Sequence, residues 1–203
     1  MTERRTKFTT PLLLVRHGQT SWNAAGRWQG NGDPGLTDLG RDQAEALSRE
    51  LTDRHGRPWR RIVSSDLSRA RQTALILADA LGLDVELDPR FRELDVGRWT
   101  GMTREEIEAR EPDLLEDFES GDPQVRPGGG ESRIEIRVRT RGALRDWTTR
   151  HAGESMILVA HLGVIRALLP GHEPENGTAT QAISEEIISR PIDVVRRPSD
   201  GPL

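Results

Sequence analysis

The sequence predicts an α/β fold: a three-layer α/β/α sandwich with a mostly parallel central sheet. Apolar runs at residues 12–15 and 156–160 have the length and branched side chains of strands buried on both faces. Amphipathic segments with helical periodicity lie between the predicted strands. Because alternating strands and helices favour a parallel sheet covered on both sides, these two observations together predict the sandwich.

The first helix is predicted to follow Thr37 or Asp38, either of which can serve as its N-cap, and to run to about Leu51. Its inward-facing side chains are expected to be Leu39, Ala44, Leu47 and Leu51. A loop is expected from Asp53 to Trp59, because the helical pattern stops there.

A second strand is predicted at residues 62–65, and Asp66 is expected to cap the helix that follows. Apolar residues continue at helical spacing to Leu81, and Gly82 is expected to end the helix. Residues 85–87 alternate in polarity, which predicts a third strand.

A helical lid insert is predicted at residues 98–131, after Glu93, where the alternation of strand and helix breaks. Residues 103–106 have the spacing of a capping box, which predicts the start of a helix. Pro112 is expected to bend or interrupt that helix. The glycine-rich residues 127–130 are expected to form a flexible joint.

The last third of the chain continues the sandwich. Ser132 is expected to cap a helix that runs through Trp147, before the apolar strand at residues 156–160. A short helix follows that strand and is expected to stop at Pro170. Residues 179–188 are expected to add a last strand, at an antiparallel edge of the sheet.

Length and composition exclude several classes of function. The 203 residues are long enough for one substantial core, which predicts a single domain over 1–203 with flexible ends at 1–10 and 196–203. The net charge is −4 and basic residues are interleaved with acidic ones, so nucleic acid is not an expected partner. The chain has no cysteine, which excludes disulfides, thiolate metal ligands and a cysteine nucleophile. No apolar stretch reaches the length of a membrane span, and a cytoplasmic protein without a membrane partner is expected.

The motif Arg16-His17-Gly18 follows the first predicted strand directly. Ligand sites of open α/β sheets lie at the carboxyl ends of strands. Arginine can bind a phosphate through two parallel hydrogen bonds, and a neutral imidazole can attack phosphorus. Glycine lets the backbone pass close to a bound group. The three residues by themselves suit phosphate chemistry, but they equally fit a charged loop after a core strand.

Four sequence blocks extend this motif. They are Leu-Val-Arg-His-Gly-Gln-Thr-Ser-Trp-Asn at 14–23, Ser-Ser-Asp-Leu-Ser-Arg-Ala-Arg-Gln-Thr at 64–73, Phe-Arg-Glu-Leu-Asp-Val-Gly-Arg-Trp-Thr-Gly at 91–101 and Leu-Val-Ala-His-Leu-Gly-Val-Ile-Arg at 158–166. In these blocks the chain resembles the histidine phosphatase superfamily, also called phosphoglycerate mutase-like, and the third block resembles its phosphatase branch. The resemblance implies hydrolysis of a small phosphorylated metabolite through a phosphohistidine, without a metal or another cofactor.

The resemblance also implies roles for individual residues. It places the nucleophile at His17 and the proton donor at Glu93. The catalytic residues that it implies are Arg16, His17, Arg69, Glu93 and His161. The substrate-binding residues that it implies are Arg16, Asn23, Gln29, Gly30, Arg69, Glu93, His161 and Leu162. Leu162 stands where many members have a glycine and is expected to narrow the pocket.

Several alternatives stay open at this point. Asp95 lies one strand period from Glu93 and is the rival carboxylate. A metal site on His17, His161 and nearby carboxylates is a second alternative, which no closely spaced histidine pair supports. A cofactor-dependent phosphoglycerate mutase has the same core residues, and a binding module without activity is a further alternative. The block at 91–101 and the absence of tyrosine favour the phosphatase. A homodimer is the one macromolecular assembly left open.

Overall fold

The computed structural model describes residues 10–53 and 59–190. Its sheet contains β1 (Pro11–Arg16), β2 (Arg61–Ser64), β3 (Val85–Leu87), β4 (Met156–Ala160) and β5 (Ala179–Ile183). The spatial order is β3-β2-β4-β1-β5, and β5 pairs antiparallel with β1 while the other pairs are parallel. The predicted mostly parallel sheet with an antiparallel edge strand is therefore confirmed. The ends predicted to be flexible, apart from the buried Thr10, and the centre of the predicted 53–59 loop lie outside the described residues.

Helices cover both faces of the sheet. The described residues form α1 (Ser21–Ala24), α2 (Asp38–Asp53), α3 (Ser68–Leu81), α4 (Arg104–Arg110), α5 (Pro112–Glu119), α6 (Arg133–Arg150), α7 (Leu162–Leu168) and α8 (Ser184–Ser189). Leu13 and Val15 of β1 belong to the core that packs against α2 and α3. Leu12 and Leu14 belong to the core on the opposite face, against α6 and α7. Alternation along β1 thus divides its side chains between two cores, as expected for a strand buried on both sides.

Most predicted helix boundaries are confirmed. The Thr37 hydroxyl accepts from the Gly40 N–H at 3.0 Å at the start of α2. Thr103 and Ser132 each form a capping box, at the starts of α4 and α6. Gly82 ends α3 in the left-handed conformation, with φ of 65°.

Two details of the helix predictions are wrong. Leu39 is 51% exposed because it lies in the first turn of α2, where the buried face begins only at Gly40. Asp66 does not cap α3, which starts after Leu67 without a side-chain cap. Asp66 instead accepts from Arg92 Nε at 2.7 Å, because the guanidinium offers a charge-assisted hydrogen bond that competes with capping.

The last predicted strand is shorter than expected. Pairing with β1 ends at Ile183, and the chain then turns into α8, whose Ile187 is buried against the core that contains α6. Residues 184–188, predicted as strand, are therefore helical.

The insert at residues 98–131 contains α4 and α5, as predicted, and two of its rings join Trp28 in an aromatic cluster of the core that packs against α6 and α7. Trp28, Trp99 and Phe118 meet edge to face, with ring centroids 5.4 to 6.1 Å apart. Residues 127–130, predicted to be a flexible joint, instead form a tight 3₁₀ turn that packs against the loop after Glu93. A Cβ at Gly128 or Gly130 would lie under 3 Å from backbone carbonyls of that loop, so the glycines allow close packing.

Candidate active site

Three strands end beside one another and bring the predicted residues to one edge of the sheet. The His17 N–H donates to the carbonyl of Ala160 at 3.1 Å, so His17 lies beside the point where β4 leads into His161. On the other side of β4, the Ser65 N–H donates to the Val159 carbonyl at 3.0 Å. The parallel register of β1, β4 and β2 therefore places these three side chains together.

His17 is buried, with 2% of its surface exposed. Its Nδ1 lies 2.7 Å from the carbonyl oxygen of Gly18. Because a carbonyl can only accept, Nδ1 carries the hydrogen and Nε2 keeps a free lone pair. Burial lowers the pKa of His17 well below its usual value, and the charge of Arg69 lowers it further. The ring is therefore a neutral imidazole with one nitrogen available for attack.

His161 is fully buried, and its ring centroid lies 5.1 Å from that of His17. Its Nε2 is hydrogen-bonded to the Ser65 hydroxyl at 2.8 Å, while its Nδ1 is buried without a partner. Burial, and after it the charge of Arg69, lowers the pKa of His161 well below the usual value. Ser65 was not singled out as a site residue by the sequence, although it stands in the second block and directly after β2.

Arg16 and Arg69 are held by neutral acceptors. Arg16 Nη1 donates to the carbonyl of Pro174 at 2.8 Å. Arg69 donates from Nη1 to the Gly32 carbonyl at 2.6 Å and from Nη2 to the Gly30 carbonyl at 2.9 Å. Neither arginine forms an ion pair with another described residue, and the Nε atoms of both are buried without a partner. Burial lowers the pKa of both guanidinium groups, which stay charged because their usual pKa is so high. Among the described residues, the site therefore carries two positive charges that no carboxylate contacts directly.

The Glu93 carboxylate reaches the same region. Its Oε2 accepts from the Gly163 N–H at 3.2 Å, in the first turn of α7, and its Oε1 accepts from the Leu94 N–H at 2.7 Å. The charge of Glu93 is close enough to raise the pKa of both Arg16 and Arg69 against the effect of burial.

Asp95, the rival carboxylate, has a different environment. Its Oδ1 accepts from the Gly97 N–H at 2.9 Å, and this bond closes the turn that leads into the insert. Asp95 therefore has a local role in the backbone turn, whereas Glu93 is bonded to α7 beside the second histidine.

Of the remaining predicted residues, Asn23 and Gln29 bind within the loop that follows His17. Asn23 Oδ1 accepts from the Thr20 N–H at 3.1 Å, and the Thr20 hydroxyl donates to Gln29 Oε1 at 2.9 Å. Gly30 has a φ of 47°, and a Cβ there would lie 2.7 Å from a Val96 methyl carbon. Only glycine therefore fits at position 30, whose carbonyl accepts from Arg69. Leu162 is half-buried at the first position of α7.

One part of the site is not foreseen from the sequence motifs. Asn176 Nδ2 donates to the carbonyl of His17 at 3.1 Å and to Asn23 Oδ1 at 3.4 Å. The Gly177 N–H also donates to the His17 carbonyl at 3.1 Å. The segment after α7 thus folds back and fixes the backbone at His17.

The described part of the chain contains neither a metal-binding cluster nor a membrane-spanning helix. Within 10–53 and 59–190, no three His, Cys, Asp or Glu side chains are grouped so that they could hold a metal ion. In the same ranges, no helix combines the length and the apolar composition needed to cross a membrane.

The chain is similar to known proteins of one family. The family model of the histidine phosphatase superfamily (branch 1) matches residues 12–181. A glucosyl-3-phosphoglycerate phosphatase of Mycolicibacterium vanbaalenii is 41% identical over 164 residues, which cover 77% of this chain and 71% of that protein. Phosphoserine phosphatase 1 of Hydrogenobacter thermophilus is 36% identical over 157 residues, covering 77% and 73%.

Solved structures show the same relationship. The mycobacterial glucosyl-3-phosphoglycerate phosphatase in complex with VO3 superimposes with a TM-score of 0.76 at 36% identity, covering 85% of this chain and 92% of that one. The predicted fold and the predicted class, a phosphoric monoester hydrolase, are confirmed. The chain belongs to the histidine phosphatase superfamily, branch 1.

Proposed function

We propose that this chain hydrolyses a phosphomonoester in two steps, through a phosphohistidine on His17. The observation that carries the proposal is the Nδ1 contact of His17 with the Gly18 carbonyl in a buried, neutral ring. That contact leaves the lone pair of Nε2 free to attack phosphorus, and the bond between phosphorus and the leaving-group oxygen breaks as the new P–N bond forms.

Arg16, Arg69 and His161 are proposed to bind the phosphate. The Nε atoms of both arginines and Nδ1 of His161 are buried without partners, so a bound anion would satisfy groups that the protein leaves unpaired. A phosphate dianion favours the protonated form of His161 and offsets the effect of burial. Asn23 adds its amide group, because its Oδ1 already accepts from Thr20. These donors also stabilise the charge that spreads over the equatorial oxygens in the transition state.

Glu93 is the proposed proton donor. In the first step its carboxyl group transfers a proton to the departing oxygen, and the alcohol leaves. In the second step the Glu93 carboxylate accepts a proton from water while the water oxygen attacks phosphorus. The P–N bond then breaks, which releases inorganic phosphate and returns His17 to its neutral form. Gln29, Gly30 and Leu162 are proposed to border the substrate.

The substitution His17→Ala tests this proposal. It removes the attacking nitrogen, so kcat/KM for a phosphomonoester is expected to fall at least about 10³-fold, and radiolabelled substrate should leave no acid-labile phosphoryl group on the protein. His151→Ala is the matched control, because His151 stacks on Trp147 away from the site. Near-normal turnover by His17→Ala would refute the mechanism. Binding of the ester by the wild type without any phosphate release would instead indicate a binding module.

The phosphoglycerate mutase alternative differs only in the fate of the phosphoryl group. A mutase returns the group from His17 to a second substrate oxygen, whereas the proposed enzyme transfers it to water. Isomerisation of 3-phosphoglycerate that is stimulated by 2,3-bisphosphoglycerate and exceeds phosphate release would reverse the assignment.

We further propose that the substrate is a small metabolite with a carboxylate on its leaving group. The relatives reported above are named for glucosyl-3-phosphoglycerate and phosphoserine, and both esters carry a carboxylate. Here, Arg133 and Arg166 line a cavity of about 90 Å³ together with Gly163, whose N–H binds Glu93. Arg133 stacks 3.8 Å over the Phe118 ring centroid, which holds its charge in place.

The electrostatics favour an anion beside this pair. Burial lowers the pKa of Arg133, and the neighbouring charge of Arg166 lowers it further. The charge of Arg166 also lowers the pKa of Arg16, so positive charge extends from the phosphate site to the insert. Arg166 also pairs with the exposed Glu173 at 2.7 Å, and a substrate carboxylate between the two arginines would offset the repulsion that remains. Phosphorylated metabolites are held inside cells, so a cytoplasmic location is part of this proposal. A homodimer stays a prediction, which a measurement of the mass in solution would test.

A further inference from the structure

The backbone that carries the proposed proton donor is held from outside the site by Arg139 of α6. Arg139 Nη1 donates to the carbonyl of Arg90 at 2.8 Å and to the carbonyl of Arg92 at 2.9 Å. Its Nη2 donates to the carbonyl of Glu93 itself at 3.4 Å. One guanidinium therefore binds three carbonyls of the four-residue stretch that ends at Glu93.

Arg139 is itself fixed by Glu131. Its Nε donates to Glu131 Oε1 at 2.8 Å, and its Nη2 donates to Glu131 Oε2 at 2.5 Å. The two side chains are only 24% and 16% exposed, so solvent weakens this bidentate pair less than an exposed one. The Glu131 N–H donates to the carbonyl of Asp95 at 2.8 Å, on the other side of Glu93. The pair therefore holds the backbone on both sides of the proton donor.

All five N–H donors of this guanidinium have an acceptor: three backbone carbonyls and the two oxygens of Glu131. A lysine has three donors on a flexible stem and cannot reproduce this arrangement. No N–H donor of Arg139 is left for the substrate, since every donor is used within the protein. Arg139 therefore makes no direct contact with substrate; it acts on the reaction through the position of Glu93, and its charge also contributes to the lowered pKa of His161.

We propose that Arg139 is a positioning residue that sets the place of the Glu93 carboxyl group relative to the leaving-group oxygen. The inference rests on the proposed function, in which Glu93 donates the proton. A proton donor must lie within hydrogen-bond reach of the oxygen that it protonates, and small displacements have large effects on rate. Loss of Arg139 frees three carbonyls and lets the loop move, while the phosphate contacts of Arg16, Arg69 and His161 stay in place.

The test uses Arg139→Gln in the full-length protein and two substrates with different needs for the proton. An alkyl phosphomonoester releases an alkoxide that requires protonation, whereas p-nitrophenyl phosphate releases a stable phenolate that does not. The parameter to compare is kcat/KM, which in a two-step hydrolysis reports the formation of the phosphohistidine and not its breakdown. We expect kcat/KM to fall at least about 10-fold for the alkyl ester and to change less than about 2-fold for p-nitrophenyl phosphate. Arg139→Lys should lie between wild type and Arg139→Gln for the alkyl ester.

Arg104→Gln is the matched control. Arg104 also forms a bidentate pair, with both Glu119 oxygens at 2.8 Å, but it lies on the exposed surface of the insert. We expect its removal to leave kcat/KM for both esters unchanged. Glu131→Gln is a second test variant, because it leaves Arg139 with its three carbonyls and removes one charge of the pair. We expect the same selective loss on the alkyl ester, of smaller size.

Equal losses on both esters, or none on either, would overturn the proposal, since a general weakening of the fold does not distinguish leaving groups. A failure of the proposed function has a different signature, because the wild type would then form no phosphohistidine from either ester. If Arg139→Gln does not fold, the Glu131→Gln result decides between selective and uniform loss.

Discussion

Gly163→Ala should separate activity from stability in this protein. A Cβ built at Gly163 lies 2.2 Å from Glu93 Oε1 and 3.2 Å from its Cδ, in the first turn of α7. An ordinary contact needs about 3.4 Å or more, so the carboxyl group must move by about 1 Å. Displacement of a catalytic group by about 1 Å costs on the order of 10²-fold in rate, or about 2.7 kcal/mol in the activation free energy.

The same substitution should not weaken the fold. The obstacle is the end of a side chain that can rotate, while alanine is favoured over glycine by roughly 0.8–1 kcal/mol in a helix interior and by less in the first turn, where Gly163 lies. The contact with Leu94 Cβ, at 3.3 Å, offsets part of that gain. We therefore expect an unchanged or slightly raised free energy of unfolding together with a roughly 100-fold lower kcat/KM for an alkyl phosphomonoester.

Gly142→Ala in α6 is the matched control, because a Cβ there meets nothing within 4 Å. It should show the helix-propensity gain and wild-type kinetics. The assay combines urea denaturation with steady-state phosphate release for the two variants and the wild type. Wild-type turnover of the alkyl ester by Gly163→Ala would refute the reasoning, because it would mean that the position of Glu93 beside α7 has no part in proton transfer.

Two further predictions concern pH and the substrate. The pKa values of His17 and His161 are lowered in the folded state, so the unfolded chain binds protons first as the pH falls. The free energy of unfolding should be fully retained above about pH 6.5. At lower pH it should decrease by up to roughly 1.4 kcal/mol per pH unit for each histidine. Denaturation curves between pH 7.5 and 5 measure this, inorganic phosphate should reduce the loss, and an unaltered slope in His17→Asn would contradict it. Arg133→Gln should raise KM about 10-fold for a phosphomonoester that carries a carboxylate. It should leave KM unchanged for the analogue in which an alcohol replaces that carboxylate. Equal effects on the two esters would contradict the proposed carboxylate contact.

Much of the fold follows from short-range patterns in the chain. The run at residues 12–15 is buried on both faces as predicted, and the capping boxes at Thr103 and Ser132 start helices where expected. Such signals are local, because a cap or a strand alternation depends on residues only a few positions apart. The meeting of His17 with His161 also follows from the sequence, since parallel strands end at one edge of a sheet.

Hydrogen-bond partners that lie far apart in the sequence do not follow from such local patterns. Asp66 had the spacing of an N-cap, yet the fold brings Arg92 to it and the ion pair prevails. Asn176 reaches the carbonyl of His17 only because the chain after α7 folds back onto β1.

The sequence by itself thus determined most of the order of strands and helices, the edge of the sheet where the candidate site lies and the types of residue that are proposed to bind phosphate. Only the tertiary structure decided what holds those residues in place. Arg139 and Glu131 bind the backbone beside Glu93 from another helix and from the end of the insert, at separations of 46 and 38 positions from it. No periodicity or cap connects residues so far apart, because their contact depends on how whole elements pack rather than on the local path of the chain.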